Sequence, residues 1–164
     1  MEDREQRLNE VARIAVSLEA QTGCPAALLI AQWALESKWG AKPAGHANYF
    51  GIKAAARHDI CCIETTREVV NGKSVVQELQ FADYESLGAS CRDYAWLITH
   101  GAPYHAAWQR YQDDQDLHAL IAAVAGTYAT DPNYAHLAAA IAGQTNVAQA
   151  IAAARQEVTA NAAA

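Results

Sequence analysis

Apolar residues recur at helical spacing from the start of the chain: Leu8, Val11, Ile14, Ala15 and Leu18 share one face before Gly23 and Pro25 break the run. A second helix is predicted from about Pro25, which suits a first-turn position, to about Lys38, with Gly40 and Pro43 punctuating its end. Residues 41 to 59 read as loop. The pattern then changes, because Ile60–Val70 and Lys73–Phe81 are rich in Val, Ile and Thr around Asn71-Gly72, a two-residue hairpin signal. Helical spacing resumes with Leu87, Cys91, Tyr94 and Ile98 and ends near His100-Gly101-Ala102-Pro103. A short helix over Tyr104–Tyr111 and another carrying Leu117, Leu120, Ile121 and Val124 follow. Asp131-Pro132 reads as an N-cap with proline at the first helical position, opening a helix through Tyr134, Leu137 and Ile141. A final helix carries Val147, Ile151, Ala154 and Val158, and the alanine-rich tail, residues 159–164, is expected to fray. Helices interrupted by one hairpin make a mainly helical α+β fold, a single domain over residues 1–158.

Composition narrows the function classes. With 164 residues the chain can bury most of its unfolded surface without crosslinks or metals. Its 52% hydrophobic content is inflated by alanine, and no apolar run approaches the roughly 20 residues that cross a bilayer. A net charge of -6 argues against nucleic acid and anionic membranes as partners, since both reward clustered Lys and Arg. The N-terminus lacks the basic and apolar regions of a Sec-type leader, so the expectation is synthesis in the cytoplasm without that route of export. Cys24, Cys61, Cys62 and Cys91 fit no zinc spacing, and adjacent cysteines on a strand point to opposite faces, so neither metal nor cofactor is expected. They read as small buried apolar residues with room for one disulfide, whose pairing stays open.

One carboxylate stands out. Glu36 closes the apolar run Leu28-Leu29-Ile30-Ala31-Gln32-Trp33-Ala34-Leu35, just before Gly40 and an aromatic-rich loop. Desolvation by Trp33 and Trp39, together with the negative end of the helix dipole, favours its protonated form, which suits a catalytic acid. Glycoside hydrolysis by such an acid normally uses a second group, to attack or to stabilise positive charge at the anomeric carbon. Strand alternation puts Cys62, Glu64, Thr66, Glu68 and Val70 on one face, with Ile63, Thr65, Arg67 and Val69 on the other. Glu64 and Glu68 lie about 13 Å apart along an extended strand, so one of them can face Glu36 across a sugar-sized cleft. A two-residue turn pairs Glu68 with Val75 near the tip and Glu64 with Leu79 nearer the base, and periodicity leaves both open.

The runs AQWALESKWG, NYFGIK, TTRE before NG, FADYES, DYAWL and YATDPNY occur in that order over roughly Leu28 to Ile141. In them the chain resembles glycoside hydrolase family 73, the peptidoglycan glucosaminidases. The resemblance implies a lysozyme-like, two-lobed fold whose β-hairpin walls a substrate groove. It implies cleavage of the β-1,4 bond after N-acetylglucosamine in a peptidoglycan glycan strand. Carried over by residue, Glu36 is the general acid, Glu68 the base or charge stabiliser with Glu64 its rival, and Tyr128 an assisting cleft tyrosine. Trp39, Asn48, Tyr49 and Phe50 fall in the groove-floor segment, where they are expected to contact sugar. The chain departs from the pattern at residues 54–62, where relatives carry a Gly- and Trp-containing stretch. Ala82 stands where an arginine is expected, and Thr127 looks inserted. The alternatives are an N-acetylmuramidase of phage endolysin type and a noncatalytic glycan-binding domain, which would keep the aromatics and lose the acid. The expected setting is the periplasm of a target bacterium reached by type VI secretion, as an antibacterial effector whose groove a cognate immunity protein would cover.

Overall fold

Ala26–Glu36 form a helix in which Leu28, Leu29, Ile30, Ala31, Trp33 and Ala34 are all buried. A helix apolar on every side must be surrounded by other elements, and the fold is built around it. In the computed structural model, which describes residues 3–70, 73–129, 131 and 133–162, with backbone alone over 66–70, 73–74 and 162, the elements follow the predicted order. They are α1 (Arg4–Thr22), α2 (Ala26–Glu36), β1 (Cys61–Val70), β2 (Lys73–Ala82), α3 (Leu87–His100), α4 (His105–Asp114), α5 (Leu117–Tyr128), α6 (Tyr134–Ala142) and α7 (Thr145–Ala162). A 3-10 turn, Ala102–Tyr104, joins α3 to α4. Helices α1, α3, α6 and α7 all pack against α2. The fold is therefore the expected mainly helical one with a hairpin arm, and among the described residues no single helix is long and apolar enough to cross a membrane.

Four boundaries differ from expectation, each for a local reason. Pro25 caps α2 from outside rather than opening it, its carbonyl accepting the Leu29 N–H at 3.1 Å. The same helix stops at Glu36 because Lys38, Trp39 and Gly40 turn left-handed, with φ of 52°, 60° and 76°. Asp131 is not the N-cap: α6 begins at Tyr134 after Asn133, while the Asp131 carboxylate accepts the Asn133 N–H at 2.8 Å. The Pro132 part of that expectation lies outside the described residues. Nor does the tail fray at Thr159, since α7 continues to Ala162, as alanine's helix propensity allows.

The strands pair antiparallel with Glu64 opposite Leu79 and Glu68 opposite Val75, as the spacing predicts. The turn residues Asn71 and Gly72 lie outside the described residues. Backbone bonds from Ala82 N–H to the Ile52 carbonyl (2.9 Å) and from Ala54 N–H to the Gln80 carbonyl (3.0 Å) tie the arm to the segment before it. Buried Asn48 completes the joint: its amide nitrogen donates to the carbonyls of Ile52 (2.9 Å) and Ala82 (2.8 Å), and its oxygen accepts from the Phe50 and Ile52 N–H groups. All four cysteines are free thiols, so the room left for a disulfide is unused. Cys24 and Cys91 are buried, and burial pushes the Cys24 thiol up to about 12. Cys61 is exposed and Cys62 half-buried, contrary to the expectation of buried apolar residues.

Candidate active site

Glu36 is the last residue of α2, and its side chain emerges from the helical core into a groove of about 850 Å³. Gly51, Lys53 and Phe81 line that groove from the arm side, and Thr127, Tyr128 and Asp131 from the end of α5 and the segment after it. Helical body and hairpin arm thus form its two walls. Past Gly51 and Tyr128 it continues into a hollow of about 330 Å³ lined by Arg57, Leu97 and Tyr104.

The two oxygens of Glu36 have different surroundings. Oε1 accepts a hydrogen bond from the Tyr134 hydroxyl at 2.5 Å, and Oε2 faces Gly51. Burial raises the proton affinity of the carboxyl above the usual range, and the Tyr134 bond opposes this without cancelling it. The position at a helix C-terminus works in the same direction as burial. Tyr134 is held far above the ordinary phenol range by burial and by the Glu36 charge, so it stays a donor. Behind it, the Gln32 side-chain nitrogen donates to the Tyr134 oxygen at 3.2 Å, and the Tyr94 hydroxyl donates to the Gln32 oxygen. A carboxyl with one oxygen engaged and the other open to a groove can donate a proton to a bound ligand.

Gly51 is what leaves room for this. Its φ is +62°, and a Cβ there would lie 3.2 Å from Oε2 of Glu36. Gly51→Ala is therefore expected to lose about 1–2 kcal/mol from left-handed strain and to lower at least roughly tenfold any turnover that uses the open oxygen, by crowding it. Thermal melting and an activity assay measure the two effects, and unchanged turnover would show that the groove-side oxygen is not the one used.

The residues expected from the sequence separate. Phe50 is fully buried and stacks on Tyr94 with ring centroids 4.4 Å apart, so it is core and cannot stack on sugar. Asn48 is likewise buried in the joint described above and has no surface to offer a ligand. Trp39 folds back on the helices: Arg4 covers its ring at 3.6 Å, Trp33 meets it edge-on at 6.2 Å, and Arg7 bonds its carbonyl at 2.8 Å. Tyr49 packs half-buried against the core, its N–H on the Ser90 hydroxyl at 3.2 Å. Neither Trp39 nor Tyr49 lines the groove. Tyr128 does, but its hydroxyl is committed to the Phe50 carbonyl, and the tyrosine on Glu36 is Tyr134. The Glu64 carboxylate accepts the Gly45 N–H at 2.9 Å. For Glu68 the structure describes the ladder position opposite Val75, and its side chain lies outside the described residues.

Two residues were missed, Tyr134 and Gln32. Tyr134 reads in the sequence as a stripe position of α6 and the last residue of the YATDPNY run, with no site role attached. Gln32 carried a signal, being a lone polar residue inside an apolar run one turn before Glu36.

A family model, Glucosaminidase, described as mannosyl-glycoprotein endo-beta-N-acetylglucosaminidase, matches residues 12–147. The chain is 38% identical over 136 residues to the peptidoglycan hydrolase FlgJ of Salmonella typhimurium, covering 79% of this chain and 41% of that protein. It is 33% identical over 135 residues to a probable N-acetylmuramidase of Lactococcus lactis, covering 77% of this chain and 30% of that one. The chain thus spans well under half the length of these curated relatives. Among solved structures it is similar to a mutant of a peptidoglycan hydrolase from Sphingomonas sp. A1, with a TM-score of 0.73 and 27% identity, covering 90% of this chain and 97% of that one.

Proposed function

This chain belongs to the glucosaminidase family of glycoside hydrolases, and from that premise we propose that it cleaves the β-1,4 bond between N-acetylglucosamine and N-acetylmuramic acid in peptidoglycan. The observation that carries the reading is the Glu36 carboxyl, biased toward its protonated form by burial and open to the groove through Oε2. In the proposed reaction Oε2–H passes its proton to the glycosidic oxygen as the bond to the anomeric carbon breaks, and the distal sugar leaves as an alcohol. Positive charge builds on the N-acetylglucosamine ring. A water activated by Glu68 adds from the opposite face; the other route is attack by the 2-acetamido oxygen, followed by water. Either route consumes one water: in the first Glu68 takes the proton of the attacking water and exchange with solvent reprotonates Glu36, and in the second the Glu36 anion takes that proton itself. Turnover is expected to fall as pH rises through the elevated proton affinity of Glu36, because the anion has no proton to give.

The test is the new reducing end released from purified sacculi. Mass spectrometry after borohydride reduction should find N-acetylglucosaminitol. N-acetylmuramitol would move the chain to the muramidase reading, which the Lactococcus relative's name favours, and no release would remove glycan cleavage. We also propose the antibacterial setting, in which a cognate immunity protein covers the open groove around Glu36. Directed to a host periplasm, the wild type should lyse cells and Glu36→Gln should not; survival of both would sink the toxin reading.

A further inference from the structure

Gln32 is 1% exposed and Tyr94 not at all, so their polar atoms find partners inside the protein or go without. Tyr94 has one hydrogen to place, and the atom that receives it is the Gln32 side-chain oxygen. That contact fixes the amide. The two ends of a Gln amide are nearly identical in shape, so its bonds decide which way it faces. With the oxygen on Tyr94, the nitrogen points to Tyr134 and donates to its oxygen at 3.2 Å. Tyr134, already accepting there, turns its own hydrogen onto Oε1 of Glu36 at 2.5 Å. The reverse order is unfavourable: an overturned amide would donate to Tyr94, and the Tyr94 hydrogen would be stranded in the core. Phe50, stacked on the Tyr94 ring, holds that end of the chain in place.

We propose that Tyr94 and Gln32 are positioning residues for glycan cleavage, setting the direction of a hydrogen-bond chain that ends on Oε1 of Glu36 and leaves Oε2, on the groove side, to carry the transferable proton. The inference rests on Glu36 being the acid. Tyr94 stands on α3 and Gln32 on α2, so the chain crosses from one helix to another and on to α6 before it reaches the groove. Gln32 does more than fill space: its N–H on the Tyr134 oxygen makes that hydroxyl more acidic and so a better donor to Glu36. Among the described residues, the other ionisable groups around Glu36 are Tyr128 on α5 and, along the groove, Lys53 and Asp131, while Tyr104 faces Tyr134. Burial holds Tyr94, Tyr104 and Tyr128 above the ordinary phenol range, so they keep their hydrogens while Glu36 titrates.

The test is the pH profile of kcat/KM on solubilised glycan strands. Gln32→Met keeps the side-chain length and removes the amide. Tyr134 then loses the donor that sharpens and aims its hydroxyl, the Glu36 anion is less well stabilised, and the alkaline limb is expected to move up by roughly half to one pH unit. Tyr94→Phe frees the amide to turn and is expected to move the limb the same way by less, which keeps the proposal testable if Gln32→Met folds poorly. In a Tyr134→Phe background neither change should move the limb further, because the link to Glu36 is already cut. A limb unmoved in both single variants, or the same shift with and without Tyr134, would overturn the proposal. Glu36→Gln separates the two failures: an active Glu36→Gln enzyme sinks the acid assignment itself, whereas an inactive one with unmoved limbs sinks only the positioning chain.

Discussion

Glu36→Gln is expected to abolish muropeptide release from purified sacculi, with a loss of about 10³- to 10⁴-fold in kcat/KM, while the protein stays folded. The amide keeps an oxygen for the Tyr134 hydroxyl to donate to and fits the space beside Gly51, so the hydrogen-bond chain from Tyr94 survives. What disappears is the transferable proton. Stability should move the other way. A carboxyl whose proton affinity is raised by folding holds more protons folded than unfolded between its unfolded and folded pKa values, so it costs stability as pH rises through that window. Glutamine has no such dependence. The variant should therefore melt at or above the wild-type temperature at neutral pH, with the difference shrinking at pH below the ordinary glutamate range. Residual hydrolysis within tenfold of wild type would remove Glu36 from the acid role, and a variant that melts well below wild type at neutral pH would mean the carboxylate is held as a stabilising anion instead.

Much of the fold was legible because its signals are local. Apolar spacing places the helices, and Val, Ile and Thr around Asn71-Gly72 place the strands and their register. The end of α2 differs from the spacing because two of its three left-handed residues, Lys38 and Trp39, are not glycine, and Trp39 is held by Arg4 and Arg7 of α1. The desolvation of Glu36 was legible as well, since a carboxylate ending an apolar helix can hardly avoid it. The groove floor was not. Asn48 and Phe50 share a segment with Gly51, yet packing against Tyr94 and Ala82 puts the first two in the core and leaves Gly51 facing Glu36. Tyr128 and Tyr134 lie six residues apart in one motif. Which of them meets Glu36 depends on the corner between α5 and α6, a tertiary feature that no spacing rule encodes.

The second carboxylate should separate by mutation as cleanly as the first. Glu64 already has structural work: its carboxylate accepts the Gly45 N–H and ties the base of the hairpin to the 44–48 loop. The corner is tight, since a Cβ on Gly45 would lie 2.6 Å from the Cys62 sulfur. Glutamine retains an oxygen for that bond, so Glu64→Gln is expected to change turnover by less than about threefold, as for an exposed neutral acceptor. Glu68 sits four positions further along β1, opposite Val75 and about 13 Å from Glu64 along the strand. In its proposed role as the base that activates water, it should lose roughly 10²- to 10³-fold on conversion to glutamine. The early-time anomer of the product gives an independent reading of the same step. Water delivered by Glu68 to the face opposite the leaving group inverts the anomeric carbon, so the first N-acetylglucosamine ends formed should be α, whereas attack by the acetamido group followed by water retains β. A small loss in Glu68→Gln together with β product would assign the step to the substrate, and Glu36 would then be the one protein carboxyl the reaction requires.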